Sequence, residues 1–235
     1  MANYDIFAEF YDQIMGERTE SLEKVKSLIS QYNPKARSVL ELAVGTGSVI
    51  KGLSKEYEVA GLDLSSEMLS IAKKKVPQAN IYKEDMSNFN IGRFFDVIIC
   101  VFDSINHLTE FEQWDSMLSS VSKHLNVRGI FIFDMNTLGR LKKLSSENAG
   151  VQEFNSGKMV MKVNQLGNNS FDWYVKIYEK PSEKLHEEHI TEVAFPLHEV
   201  RRLANKEFEL VSSFDLSGEK PTDNSDRAFF VYRKR

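Results

Sequence analysis

The sequence predicts an α/β fold: a mostly parallel central sheet with helices on both faces, carrying an inserted antiparallel four-stranded meander. Three observations predict it. Between residues 37 and 135, apolar strand-like runs alternate with stretches of helical period. Those runs are almost continuously apolar (DVIICVF, GIFIFDM), as strands covered on both faces should be. After about residue 147 the pattern changes to period-two alternation broken by turn signals.

In chain order, residues 4–32 read as helical, with Phe10, Tyr11, Ile14 and then Leu22, Val25, Leu28 and Ile29 recurring at three and four. Asn33-Pro34 ends this region, because proline pushes the preceding residue out of helical geometry. Strands follow at 37–43, 57–62, 79–83, 94–102 and 127–135, with helices at 47–56, 65–75 and 110–124. Right-handed crossovers then make the sheet parallel. Turn signals at Asn155-Ser156-Gly157, Gly167-Asn168-Asn169-Ser170 and Pro181-Ser182-Glu183 separate four segments of strand character. A helix at 197–206 and strands at 208–215 and 227–233 close the chain. The expected organisation is one domain: helices at 1–36, a core at 37–147, an insertion at 148–196 and closing elements at 197–235.

Composition narrows the function. The 235 residues are 42% hydrophobic and include 16 Phe, enough for a substantial core. A net charge of −4 argues against a dedicated nucleic-acid surface, which needs a basic face. A single cysteine, Cys100, excludes a disulfide framework and a multi-cysteine metal site, and inside a strand it reads as core. MANYDIFAEF lacks signal-peptide order and no apolar run reaches the ~18 residues of a membrane span, so a soluble cytoplasmic protein is expected. Lys73-Lys74-Lys75 reads as a solvated helix end.

The informative feature is where the acids fall. Glu41, Asp63, Asp85 and Asp103 each close or follow one of four successive strands, at the carboxyl edge where open α/β sheets bind ligands. Gly45 and Gly47 follow the first strand and allow a tight backbone turn close to a ligand. Asp63, about 20 residues beyond a glycine turn, is placed to accept ribose hydroxyls. Asp85 is placed to accept from an exocyclic amine such as that of adenine. Glu41 would repel a pyrophosphate and suits a cation. A nicotinamide fingerprint fails, since G-x-G-x-x-G needs glycine where Ile50 stands, and no GK[ST] occurs. A ligand with adenine, ribose and a cationic end remains, and S-adenosylmethionine fits.

At these residues the chain resembles the class I S-adenosylmethionine-dependent methyltransferases, in "LELAVGTG", "GLDLSSEML", "EDMSNF" and "FDVIICVFDSINHL". It is most similar to a small-molecule branch that includes desosamine-type amino-sugar N,N-dimethyltransferases, through "YD…FYD…R" and the late "EEH". The resemblance implies a Rossmann-like class I methyltransferase fold. It places Glu41 near the cofactor's amino group, with Ala43, Gly45 and Gly47 forming the turn beneath. Asp63 takes the ribose, Leu64 and Met68 flank the adenine, and Asp85 and Met86 read its edge. The backbone near Phe102 meets the methionine end, while Tyr11 and Arg18 close over the cofactor. Ala43 stands where the family's first glycine is usual.

Methyl transfer from a sulfonium needs an acceptor held in line and away from water. Candidates beside the acceptor are Tyr4, Tyr11, Asn106, His107 and His189, with His107, Tyr11 and His189 chosen as catalytic. Trp173, Tyr174 and Tyr178 read either as pocket lining or as core. His124 reads as a helix-end dipole contact, and Arg227 either anchors an acidic group or pairs at the surface. With no [DN]PP[YF] and no Pro-Cys nucleophile, the expected acceptor is a small molecule, nitrogen ahead of oxygen, with no metal, no membrane and no nucleic-acid partner. The alternatives are a non-catalytic cofactor-binding protein and a tRNA base methyltransferase. The assembly expected is a monomer or homodimer.

Overall fold

The computed structural model describes residues 5–16 and 18–235. Two helices, α1 (Asp5–Met15) and α2 (Thr19–Tyr32), precede β1 (Ser38–Leu42), α3 (Ser48–Leu53), β2 (Glu58–Asp63), α4 (Ser66–Lys75) and β3 (Asn80–Lys83). Then come β4 (Phe95–Cys100), a 3₁₀ turn (Ser104–His107), α5 (Phe111–His124), β5 (Leu125–Asn136) and α6 (Leu138–Ser146). The insertion contributes β6 (Gly150–Phe154), β7 (Gly157–Gln165), β8 (Ser170–Glu179) and β9 (Leu185–Val193). Helix α7 (Leu197–Ala204), β10 (Phe208–Asp215) and β11 (Arg227–Lys234) finish the chain.

Seven strands form one sheet in the order β10-β11-β5-β4-β1-β2-β3. All run parallel except β11, which is antiparallel to both neighbours. The chain builds outward from β1 through β2 to β3, then returns to β1's other side with β4. The crevice at the carboxyl ends of β1 and β4 is therefore a topological switch point. Period-two alternation sorts the core: Leu40, Leu42, Ile98 and Phe131 pack beneath α5 and α7, whereas Val39, Val97 and Ile132 pack beneath α2 and α3. Glu41 shares the second face, which directs its carboxyl toward α3.

Strands β6 to β9 form a separate antiparallel meander. Its inner face, with Met159, Val175, Ile177 and Ile190, packs on Phe10 and Ile14 of α1. Helix α1 is thus a roof fixed on two sides. Its Asp12 meets Lys75 of α4 at 2.7 Å and Thr46 Oγ1 at 2.6 Å, while the Ile14 carbonyl accepts from Gln152 Nε2 at 2.5 Å.

The expected helix at the N-terminus is broken at Gly16, whose φ of +63° is left-handed. Helix α6 and the 3₁₀ turn were not expected. Leu141 is the one buried residue of α6, so its short polar sequence carries little periodic signal.

Candidate active site

The turn after β1 is built from left-handed residues: Ala43 (φ 51°), Gly45 (φ 52°) and Gly47 (φ 77°). Opposite it, the turn after β4 holds Phe102 (φ 60°) and Asp103 (φ 53°), also left-handed. Non-glycine residues in this region cost about 1–3 kcal/mol each, so something must hold them there. Asp134 at the end of β5 does so, accepting from the backbone N–H of Phe102 at 3.2 Å and of Asp103 at 2.7 Å.

Between the two turns, α1 and the insertion sheet lies a cavity of about 540 Å³. Of the expected cofactor residues, Tyr11, Arg18, Ala43, Gly45, Asp63, Leu64, Met68, Met86 and Phe102 line it, as does His107. Asp63 holds its position by accepting from Gly45 N–H at 2.9 Å and Ser65 N–H at 3.0 Å. Burial nevertheless raises its carboxyl above the usual range. Leu64, Met68 and Met86 give the apolar walls a flat ring needs beside it. Arg18 lies 3.9 Å from the Phe102 ring centroid and donates to Tyr11 Oη at 3.2 Å.

Glu41 lines a smaller recess of about 30 Å³ shared with Tyr11, Arg18 and Phe102. It is 3% exposed, and its Oε2 has no hydrogen-bond partner among the described residues. Burial pushes its carboxyl well up, against the N–H of Ile50, which lowers it. An orphaned buried acceptor of this kind fits a ligand's cationic donor.

Three expected residues lie elsewhere. Gly47 begins α3 and abuts α4, where a Cβ would come within 3.1 Å of Ala72 Cβ, so its role is in the turn. The Asp85 carboxyl turns back to accept from Ser87 N–H at 2.8 Å, and its neighbours Glu84 and Met86 line the cavity instead. His189 is on the wrong face of β9: alternation sends Ile190 and Glu192 inward and leaves His189 stacked on Tyr174, 3.0 Å from Asp172 and with its side chain 66% exposed.

The other candidates resolve similarly. Asn106 is a staple, with its amide bonded to the carbonyls of Asn136 and Val193 and to the Asn136 N–H. His124 ties the end of α5 to the loop before β4, with Nδ1 at 2.7 Å from the Ser120 carbonyl and Nε2 accepting from Ile91 N–H. Trp173 lines the cavity, whereas Tyr174 bonds Glu187 and Tyr178 lies beneath Lys158. Cys100 is buried. Tyr4 lies outside the described residues.

Sequence reasoning missed Asp134, Asn136 and Glu192. Arg227 binds Asp103 at 2.5 Å and Asp134 at 2.7 Å, half-buried in the cavity wall. The signal was available for two of them: Asp134 and Asn136 close the fifth strand at the same carboxyl edge as the four acids noted. His107 stands beside this group, and burial lowers its pKa, so its imidazole is neutral at neutral pH.

Sheet order, glycine turn and cavity define the class: this is the class I S-adenosylmethionine-dependent methyltransferase fold. Residues 39–129 match the family described as a methyltransferase domain. A dTDP-3-amino-3,4,6-trideoxy-alpha-D-glucopyranose N,N-dimethyltransferase of Streptomyces venezuelae is 30% identical over 131 residues, covering 55% of each chain. This chain thus spans about half the length of the amino-sugar enzymes it matches. The putative methyltransferase YqeM of Bacillus subtilis is 28% identical over 98% of this chain and 97% of its own. A solved S-adenosylmethionine-dependent methyltransferase of Clostridium acetobutylicum shares the fold, with a TM-score of 0.86 at 23% identity over 98% of both chains.

Proposed function

We propose that the protein transfers a methyl group from S-adenosylmethionine to a small-molecule acceptor, with nitrogen preferred to oxygen. The observation that carries this reading is the cavity at the β1/β4 switch point, with Asp63, the 43–45 turn, Glu41's recess and His107 arranged around it. The cofactor would supply an activated methyl on a sulfonium. Asp63 would hold the ribose, Leu64, Met68 and Met86 would give the adenine its apolar surroundings, and Glu41 would meet the cationic methionine end. Arg18 and Tyr11 cover it from the roof. His107 and Tyr11 orient the acceptor, and neutral His107 is able to take a proton from it. The chain works as one domain, in which α1 and α2 cover the cofactor and residues 148–196 form the acceptor-side wall.

Support comes from the matched domain and from amino-sugar relatives named as N,N-dimethyltransferases. The test is calorimetric titration with S-adenosylhomocysteine, intact protein beside Asp63→Ala. Micromolar binding, about −8 kcal/mol, is expected in the intact protein and its loss in the variant. Absence of binding by the intact protein would overturn the reading.

A further inference from the structure

On the acceptor side of the cavity two carboxyl groups touch. Glu192, 4% exposed on β9, lies beside Asp103 of the turn after β4. The Asn136 amide clasps both, its Nδ2 lying 3.1 Å from Asp103 Oδ2 and 3.0 Å from Glu192 Oε2. Two carboxylates held on one nitrogen repel each other, which favours a single proton shared by the pair.

The surrounding charges do not neutralise what is left. Arg227 divides its guanidinium between Asp103 and Asp134. Asp134 in turn is committed to the N–H groups of residues 102 and 103. Three carboxyls, one arginine and one shared proton leave a single net negative charge. The remaining groups near this wall are His107, held neutral by burial, and, across the turn, Tyr11 with Arg18 and Asp63, the last two of opposite charge. Arg140, which lines the same cavity, lies 3.7 Å from Asp226. Burial first, and the charge of Asp103 second, push the Glu192 carboxyl well up, so Glu192 is the member that keeps the shared proton.

The neighbouring wall is apolar. Met159, Met161, Val175 and Ile190 line it, and Trp173, paired with Ile190 across the β8/β9 ladder, has a buried indole N–H without a partner among the described residues. The site therefore offers one negative charge, one hydrogen-bond donor and a hydrophobic face.

We propose that Asp103 and Glu192 act as a shared-proton pair that selects the acceptor, an aliphatic primary or secondary amine with an apolar body, captured as its ammonium ion. This rests on the methyltransferase reading and gives its nitrogen preference a physical basis. The ammonium gives one proton to water, and the pair keeps its single proton and its negative charge throughout. The freed lone pair forms the N–C bond while the donor's S–C bond breaks, its electron pair staying on sulfur. The methylated ammonium carries away the positive charge that sulfur loses.

The test uses cyclohexylamine and cyclohexanol, rings of the same size that differ in charge. Each is titrated into the intact protein and the double variant Asp103→Asn/Glu192→Gln, with and without S-adenosylhomocysteine. Intact protein is expected to bind the amine about tenfold or more tighter than the alcohol. In the double variant, which removes the net charge, that preference disappears, while S-adenosylhomocysteine affinity stays within about twofold. Glu192→Gln alone serves as the second variant: it leaves Asp103 charged and is expected to keep the preference. Equal binding of the two rings by intact protein, no binding of the amine, or a preference that survives the double substitution would overturn the proposal. So would equal loss of both rings in the variant, the mark of a merely structural role. Failure of S-adenosylhomocysteine to bind would instead overturn the methyltransferase reading, with the amine preference still read in its absence.

Discussion

Ala43 pays a conformational cost at φ 51°, a region where an L side chain is strained by about 1–2 kcal/mol. Ala43→Gly is therefore expected to stabilise the protein by about 1 kcal/mol, less the entropy that glycine adds to the unfolded chain; urea unfolding measures it. His107 gives a pH signature. Burial lowers its folded pKa, so the unfolded chain binds the proton first as pH falls. Above the unfolded value, about 6.5, His107 costs nothing; below it, stability is lost as pH falls toward the folded value. The stability difference between intact protein and His107→Gln, followed from about pH 8 to 5, should shift in favour of the variant. His107 was legible because it follows a strand end, where local sequence fixes position. Glu192 was not, because only the parity of β9 reveals which residues face inward, and the motif "EEH" drew attention to the opposite face.

At the scale of elements, Asp96 ties three strands at the sheet edge remote from the cavity. It accepts from the N–H of Arg37 at 2.8 Å and Ser38 at 3.1 Å, and from Asn126 Nδ2 at 2.8 Å. Burial alone would raise its pKa, but these bonds outweigh it and hold the carboxyl below the usual range. Its contribution is thus present above the unfolded value, about 3.9, and is lost as pH falls through the folded one. Asp96→Asn should cost about 2 kcal/mol at neutral pH and flatten the acid limb of a stability–pH curve. Strands such as β4 and β5 were readable because burial on both faces writes itself as an apolar run. Helix α6 was unreadable because it rests on one buried leucine, and the break at Gly16 because both flanking segments share one helical period. The glycine turn was legible as far as its acids and glycines go, yet the direction of Asp85 depends on a turn that its own side chain closes.

For the molecule as a whole, the cavity is shut by contacts between parts distant in sequence, so ligand binding and global stability should be linked. S-adenosylhomocysteine at about 100 times its Kd would add about 2.7 kcal/mol, raising the melting temperature by roughly 5–10 °C. Differential scanning fluorimetry reads this directly. Slower hydrogen exchange in α1 should accompany it, because the Asp12–Lys75 and Gln152–Ile14 contacts make the roof close on both walls at once. The two walls also have separate origins. The nucleoside-side wall comes from residues before Asn106, and the opposite wall comes largely from β7, β8 and β9. On the proposed reading, changes confined to the meander would alter which acceptor is held and leave the donor's seat as it is, so one stretch of gene could set the diet while another keeps the chemistry.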